Sequence, residues 1–232
     1  MNLNNAVEKF FLSNTINDVR KPGIFVFDDL SEYIKSNVKD GNNLGVERFI
    51  YQMKHRYKER LDYYIPIIVV ESRSASNEVM EKIEKRLMNT YYGIFAEAIL
   101  EKMYGASQMY EIIPIKPEED YSSHIDLKVR DRTNGTVLNL QVKTIRYLLN
   151  PSPYQIYKLE EEKKVHKKLN LNVAYAYFNH DFDNRYFIFE NIKLPIYGYG
   201  KSNVKDLEKV TFDLFNKMNV QSREKALDEL IF

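Results

Sequence analysis

A chain of 232 residues, 44% hydrophobic and 29% charged, can bury a sizeable core and has the composition of a globular protein. The formal net charge of +1 excludes polyanion binding through overall charge, so any nucleic-acid site has to be local. The absence of cysteine excludes disulfides and every metal site built on thiolates.

The start of the chain predicts a protein that stays in the cytoplasm. MNLNNAVEKFFLS lacks the basic flank and the long apolar stretch of a signal peptide. The longest apolar run, YYIPIIVV at 63–70, is too short to cross a bilayer. We therefore expect a soluble protein with no membrane partner.

Residues 1–74 are expected to form a mainly helical N-terminal region. Asp28, Asp29 and Ser31 offer helix-start chemistry before EYIKSNV. In ERFIYQMKHRYKERLDYY an apolar residue recurs at every fourth position, which predicts an amphipathic helix. The following YYIPIIVVES is interpreted as a short strand or a buried connector.

Two predicted helices are rich in basic residues and could contact phosphates without reading bases. The first carries Lys54, Arg56, Lys58 and Arg60. The second, YQIYKLEEEKKVHKKL, has five lysines that are diluted by three glutamates. Charged helix faces are usually just solvated, so this simpler interpretation stays open for both helices.

Residues 75–195 alternate between helical and strand patterns, which predicts a mixed α/β core with helices packed on a sheet. A long helix begins at Ser76 and is closed by Gly105. The remaining elements in chain order are strands at 108–115, 124–130 and 136–146, a charged helix, and strands at 172–178 and 185–190. Residues 196–232 are expected to form a C-terminal helical extension.

The strands around Asn134-Gly135 carry a polar set opposite an apolar face. Side chains alternate across a strand, so Asp126 can share a face with Gln141 and Lys143 if the apolar faces align. A carboxylate, an amide carbonyl and a lysine suit phosphodiester cleavage, in which oxygen ligands hold Mg²⁺ and the ammonium positions the attacking water. The Val142 carbonyl is a further candidate ligand. The alternative is an edge hairpin with a solvated polar face.

Glu97 is the second candidate acid. It is the only charged residue in GIFAEAIL (93–100), a stretch so apolar that the helix is expected to be buried there. A buried carboxylate needs a cation, a metal or a capped backbone group. Gly93, one turn earlier, would leave room beside it.

Two histidine-containing segments have a simpler and a functional interpretation. His124 lies two residues before Asp126 and could contact a phosphate, although a partly exposed strand histidine is the commoner case. His180, Asp181 and Asp183 form a cluster that resembles a metal site, but HDFDNR between two strands is more typical of a turn.

Glu97, Asp126 and the Gln141-Val142-Lys143 element, within a helix–three-strand–helix–strand order, resemble the PD-(D/E)XK nuclease superfamily. They are most similar to the variants in which glutamine replaces the second acid, as in Mrr-type restriction nucleases. The resemblance covers roughly residues 76–190 and implies a restriction-endonuclease-like central mixed sheet. It implies that Asp126, Glu97 and Gln141 bind Mg²⁺ and that Lys143 is catalytic. The chain departs from the family pattern at Ile125, where proline is usual.

The function expected from this resemblance is a Mg²⁺-dependent DNA endonuclease of a restriction or phage-defence system, with Mn²⁺ as a substitute ion. A homodimer would cut both strands of a duplex. The competing hypothesis is a non-catalytic nucleic-acid-binding or interaction protein on a decayed nuclease scaffold. A nuclease specific for RNA or for a nucleic-acid structure is a lesser alternative.

Overall fold

The chain forms two compact units, Met1–Ala98 and Ile99–Phe232, called here the N-terminal and the C-terminal unit. A computed structural model describes residues 1–13, 23–42, 45–115, 123–181, 185–196 and 203–230, with side chains to 218. The division between the units falls within the long helix, whereas the sequence places a boundary at residue 74. Asp183 and Lys201 lie outside the described residues.

The described part of the N-terminal unit is mainly helical, with one short parallel strand pair. Its elements are α1 (Leu3–Phe11), β1 (Leu12–Ser13), β2 (Phe25–Val26), α2 (Phe27–Asp40), α3 (Val46–Arg56), α4 (Lys58–Ser72) and most of α5 (Ser76–Gly105). The predicted apolar stripe is buried at all four positions, Phe49, Met53, Tyr57 and Leu61, but it runs over two helices that meet at Tyr57.

The segment YYIPIIVVES is helical, so its interpretation as a strand or connector was wrong. It continues α4, with Pro66 inside the helix and Ile68 buried. Short apolar runs do not separate strand from helix by periodicity, and proline within such a run is ordinarily a helix breaker. The sequence pattern therefore pointed away from the observed structure.

The C-terminal unit contains a six-stranded mixed sheet with helices around it, which confirms the predicted mixed α/β class. The strands lie in chain order across the sheet, and only β5 and β6 are parallel. The elements after α5 are β3 (Tyr110–Ile113), β4 (Leu127–Asp131), β5 (Val137–Thr144), α6 (Arg146–Leu149), α7 (Pro153–Lys168), β6 (Val173–Asn179), β7 (Tyr186–Phe189), β8 (Ile192–Pro195) and α8 (Val204–Leu230).

The turn between β4 and β5 is held by the side chain of Asp131. Its carboxylate accepts hydrogen bonds from the Thr133 N–H at 2.7 Å, the Thr133 hydroxyl at 2.6 Å and the Asn134 amide at 3.2 Å. Burial acts to raise the pKa of Asp131, but these donors outweigh it and hold the pKa below its usual value. Gly135 follows with φ of +76°, a conformation that glycine adopts without strain.

Strand β5 lies inside the sheet and is buried on both faces. Leu138, Leu140 and Val142 are buried on one face, and Asn139 and Gln141 are buried on the other. The alternative of a solvated hairpin face was therefore wrong. The reason is the parallel connection to β6, which requires a crossover that α7 supplies.

Helix α7 begins with a complete capping box. The Ser152 hydroxyl accepts from the Gln155 N–H, and the Gln155 side chain accepts from the Ser152 N–H. This arrangement, with Pro153 as the first helical residue, fixes where the helix starts. No helix in the described ranges has an apolar stretch that could span a membrane.

Candidate functional site

The predicted polar residues lie in rows across three neighbouring strands of the C-terminal unit. Gln141 is opposite Tyr175 and Lys143 is opposite Tyr177 in the parallel pairing of β5 and β6. Asp126 precedes β4, and its N–H donates to the Leu140 carbonyl at 3.0 Å, which extends the strand pairing to Gln141. Because side chains alternate, these groups share one face of the sheet.

The Asp126 carboxylate contacts both Gln141 and Val142 of the neighbouring strand. Its Oδ2 accepts from the Gln141 amide Nε2 at 2.7 Å and from the Val142 N–H at 2.6 Å. The structure therefore brings Asp126 and Gln141 together, as their spacing predicted. Val142 contacts Asp126 through its N–H, and a ligand role for its carbonyl stays a prediction.

The Lys143 ammonium forms an ion pair with Glu162 of α7, at an Nζ–Oε1 distance of 2.9 Å. The two side chains are only 11% and 5% exposed, so both charges are largely removed from water. Lys143 also lies 5.7 Å from the centre of the Tyr147 ring. A buried pair of this kind costs desolvation energy, which singles it out from the exposed ion pairs of the protein.

The polar side chains on this face of the sheet, together with Glu162, are called here the polar layer. Two of their oxygen atoms are buried and receive no hydrogen bond from any described residue. They are Oε1 of Gln141 and Oε2 of Glu162. Leaving a buried acceptor without a donor costs about 1–3 kcal/mol, and such atoms in native proteins usually meet water, an ion or a ligand. Both are hard oxygen atoms, the type of ligand that Mg²⁺ prefers.

His166 and Tyr175 extend the layer along α7 and β6. His166 Nε2 lies 2.8 Å from the Ser123 carbonyl and Nδ1 lies 3.3 Å from the Tyr175 hydroxyl. Because a carbonyl only accepts, Nε2 carries the proton and Nδ1 accepts from the tyrosine. Burial lowers the pKa of His166, although its backbone hydrogen bonds and the Glu162 charge oppose this. The imidazole is therefore neutral at neutral pH.

The charges of Glu162 and Asp126 both act on the phenol of Tyr175. Burial raises the pKa of Tyr175, and the negative charges of Glu162 and Asp126 raise it further. Tyr175 therefore keeps its proton. The layer thus combines two carboxylates, an amide, an ammonium and a neutral histidine–tyrosine pair under one helix.

Glu97 is half-buried rather than buried, which corrects the expectation from its apolar surroundings. Its neighbours Ile94, Phe95 and Ala98 do bury. The exposure of a helix residue depends on which side of the helix it occupies, so apolar neighbours in sequence do not determine it. Glu97 belongs to the N-terminal unit, and its metal role stays a prediction.

His124 is exposed and lies outside the strand that the sequence predicted to begin there. Its φ of +53° is in the left-handed region, so the chain turns at this residue before β4 starts at Leu127. The predicted alternation of strand faces therefore does not apply to His124. Its contact with nucleic acid stays a prediction.

The four basic residues predicted to contact nucleic acid all have partners within the N-terminal unit. Lys54 pairs with Glu84, and Lys58 pairs with Asp62. Arg56 lies 3.0 Å from Asp29, and Arg60 donates to the Gly23 carbonyl at 3.0 Å. The three ion pairs reduce the positive charge that α3 and α4 offer to a phosphate.

Sequence reasoning missed Glu162 and His166, because it counted Glu162 only as a charge that diluted a basic helix. The signal was present in the spacing. Gln155, Leu159, Glu162 and His166 recur at intervals of three or four, which puts them on one side of a helix. The less exposed residues of α7 are these four together with Glu161 and Val165.

Asp126, the Gln141 carbonyl and Glu162 supply the hard oxygen atoms among these side chains. Among the described residues no group of three histidine, aspartate or glutamate side chains is arranged to hold a metal, so the amide oxygen would have to contribute. Comparison of the chain with protein-family models, with curated proteins and with solved structures gave no match.

Proposed function

We propose that this protein is a metal-dependent DNA endonuclease of the PD-(D/E)XK type, with its catalytic site in the polar layer of the C-terminal unit. The observation that carries the proposal is the pair of buried oxygen atoms, Gln141 Oε1 and Glu162 Oε2, that receive no hydrogen bond from the part of the chain that the structure describes. They belong to side chains that contact Asp126 and Lys143 directly. Oxygen atoms, a carboxylate and an ammonium are the groups that phosphodiester hydrolysis uses.

Asp126, Gln141 and Glu162 are the residues that would hold Mg²⁺, with Mn²⁺ as the substitute ion. The Val142 carbonyl is a further proposed ligand. When bound, the ion supplies Lewis-acid polarisation of the phosphate and lowers the pKa of a bound water. Lys143 would offset the charge that develops on the phosphate, and Glu162 holds its ammonium in the layer.

The strand order also supports the restriction-endonuclease-like fold that we propose. A helix is followed by three antiparallel strands, then a crossover helix and a parallel strand. By analogy we place the protein in a restriction or phage-defence setting in the cytoplasm, acting as a homodimer on DNA.

One observation favours the alternative of a binding protein on a decayed scaffold. The Asp126 Oδ2 atom and the Lys143 ammonium already have partners, and a closed network can serve structure alone. In that case the layer would bind nucleic acid or a protein without cutting.

The test is an endonuclease assay of the purified protein on duplex, single-stranded and branched DNA and on RNA, with Mg²⁺ or Mn²⁺. Asp126→Asn and Lys143→Ala should each lower the cutting rate by about 10²–10⁴-fold and leave DNA binding largely intact. Lys205→Ala, an exposed lysine of α8 in the same unit, is the control and should cut normally.

The outcomes separate the hypotheses. Cutting that survives both substitutions would place the activity elsewhere and overturn the proposed site. Binding of DNA with no cutting under either metal would favour the decayed scaffold. Cutting of RNA alone would replace DNA as the substrate. Circular dichroism of each variant shows whether a loss of cutting reflects loss of fold.

A further inference from the structure

The outer side of α7 is unusual in what it exposes to solvent. We call the exposed residues Tyr154, Tyr157, Lys158, Lys164 and Lys168 the outer stripe. The partly buried Glu161 lies among them, three or four residues from Tyr157, Lys158 and Lys164, and Lys158 is one turn before Glu162. The helix that covers the candidate site therefore has an inner polar face and an outer basic and aromatic face.

The structure makes the outer side of α7 more basic than its sequence indicates. Of the three glutamates in the helix, Glu162 turns inward and pairs with Lys143. Burial lowers the pKa of His166, so it carries no charge at neutral pH. Five lysines remain against Glu160 and Glu161, an excess of three positive charges on a helix about 24 Å long.

Most of these cations have no counter-charge among the residues that the structure describes. Lys164 pairs with Glu161 at 2.7 Å. Lys158, Lys167 and Lys168 make no ion pair with any residue in the described ranges. This differs from α3 and α4, where Lys54, Arg56 and Lys58 each pair with an acid.

The first turn of α7 exposes two aromatic rings. Tyr154 is 70% exposed and Tyr157 is 60% exposed, and Leu149, just before the helix, is 68% exposed. Large apolar groups at this level of exposure do not contribute to the core. Flat rings next to lysines are the combination that binds unpaired bases and their phosphates.

We propose that the outer stripe binds a single-stranded segment of the nucleic-acid substrate, with Tyr154 and Tyr157 stacking on bases and the lysines contacting phosphates. The inference rests on the proposed function for the identity of its ligand, and it names the part of the substrate that this helix holds. Contact with the backbone and with base faces gives binding that depends on salt and tolerates many sequences.

A second copy of the chain fits the stripe less well. In a two-fold dimer the same patch meets itself, so the lysines of α7 would face the lysines of the other copy. Lysine is depleted in protein interfaces, and like charges brought together oppose association. A polyanion neutralises the same charges, so we commit to nucleic acid as the occupant.

The test measures binding by fluorescence anisotropy in the presence of EDTA, so that cutting is excluded. The probes are a labelled single-stranded DNA, its RNA equivalent and the matching duplex DNA, each over a series of salt concentrations. Tyr154→Ala combined with Tyr157→Ala should weaken single-strand binding by at least about tenfold and affect the duplex less. The control is Tyr51→Ala combined with Tyr63→Ala, two tyrosines of similar exposure on α3 and α4.

The lysines are tested through the salt dependence. Lys158→Ala combined with Lys168→Ala should reduce the slope of log affinity against log salt by about 0.7 for each phosphate that the protein no longer neutralises. Lys205→Ala combined with Lys209→Ala removes two exposed lysines from α8 and should leave the slope unchanged. All four double variants change exposed residues, so the fold is expected to persist.

Each outcome decides the inference. Equal effects of the α7 and control variants, or no binding of any probe, would overturn it. Loss of a dimer in sedimentation by the tyrosine variant, with unchanged binding, would make the stripe a self-association surface. Binding that depends on the stripe in a protein that never cuts would sustain the inference and defeat the proposed function. Cutting that the substitutions in the outer stripe do not change, with unchanged binding, would sustain the proposed function and defeat the inference.

Discussion

Helices α3 and α4 of the N-terminal unit and helix α7 of the C-terminal unit look alike in sequence, since all are rich in basic residues, but their charges are arranged differently. In α3 and α4 the cations pair at the surface, as Lys54 does with Glu84 and Arg56 with Asp29. In α7 the acid Glu162 is drawn inward to Lys143, and lysines are left outside. A basic helix is therefore understood only when the location of its counter-charges is known.

The largest expected effect tests whether the Lys143–Glu162 pair differs in kind from the surface pairs. Either Lys143→Met or Glu162→Leu leaves one charge without its partner in a nearly buried position, at a cost of about 3–5 kcal/mol in the free energy of unfolding. The double variant removes both charges and should cost less than either single change. Urea titration of the three variants measures the coupling between the two residues.

The matched pair in the N-terminal unit is Lys58 with Asp62, which are spaced i, i+4 and exposed. Replacing both with alanine should change the free energy of unfolding by about 0.5 kcal/mol or less. If the losses from Lys143→Met and Glu162→Leu simply add in the double variant, the two charges are not coupled. The contrast between the two regions would then fail.

The next effect concerns the pH dependence that the buried layer gives to the C-terminal unit. The pKa of His166 is lowered from 6.5 by burial, against the opposing effects of hydrogen bonds with the Ser123 and His124 backbone and of the Glu162 charge. The unfolded chain therefore binds the proton more readily than the folded protein does. The histidine costs no stability above about pH 6.5, and the free energy of unfolding falls as the pH decreases from there toward the pKa of His166 in the folded protein. His180, whose pKa is lowered by burial and by Arg146, acts in the same direction.

His166→Gln should flatten part of this dependence, because glutamine can still donate to the Ser123 carbonyl but has no proton to take up. The slope removed is at most about 1.36 kcal/mol per pH unit. Urea titrations between about pH 7 and pH 5 measure the slope for both proteins. A wild-type protein that grows more stable as the pH falls would show that Glu162, and not burial, controls the histidine.

The sequence was sufficient to predict the elements of the C-terminal unit and the contact between Asp126 and Gln141. Alternating strands and a helix with clear end signals are local properties, and the spacing within a hairpin follows from them. The short strand β8 and the short helix α6 were missed. The strands predicted at 108–115, 124–130 and 136–146 were overextended relative to β3, β4 and β5. The mixed sheet itself followed from the order of these elements.

The partner of Lys143 could not be predicted, because it depends on how the crossover between β5 and β6 lies on the sheet. Glu162 is 19 residues from Lys143 in sequence, and the helical spacing that sets it apart from Glu160 and Glu161 does not indicate which strand residue it meets. The same limit applies to Lys54, whose partner Glu84 is 30 residues away. Which charges pair over such distances depends on how the elements pack. The periodicity of the sequence shows only which side of a helix a residue occupies.

The last comparison concerns two glycines that have room for a side chain but differ in backbone conformation. An added Cβ would meet no heavy atom within 4 Å at Gly93 in α5 or at Gly135 in the β4–β5 turn. Gly93→Ala should raise the free energy of unfolding by about 0.5–1 kcal/mol, since alanine stabilises a helix interior. Gly135→Ala should lower it by about 1–2 kcal/mol, because φ of +76° strains any residue with a Cβ. Urea titration measures both, and effects of the same sign would show that space, rather than backbone conformation, decides the outcome at one of the two positions.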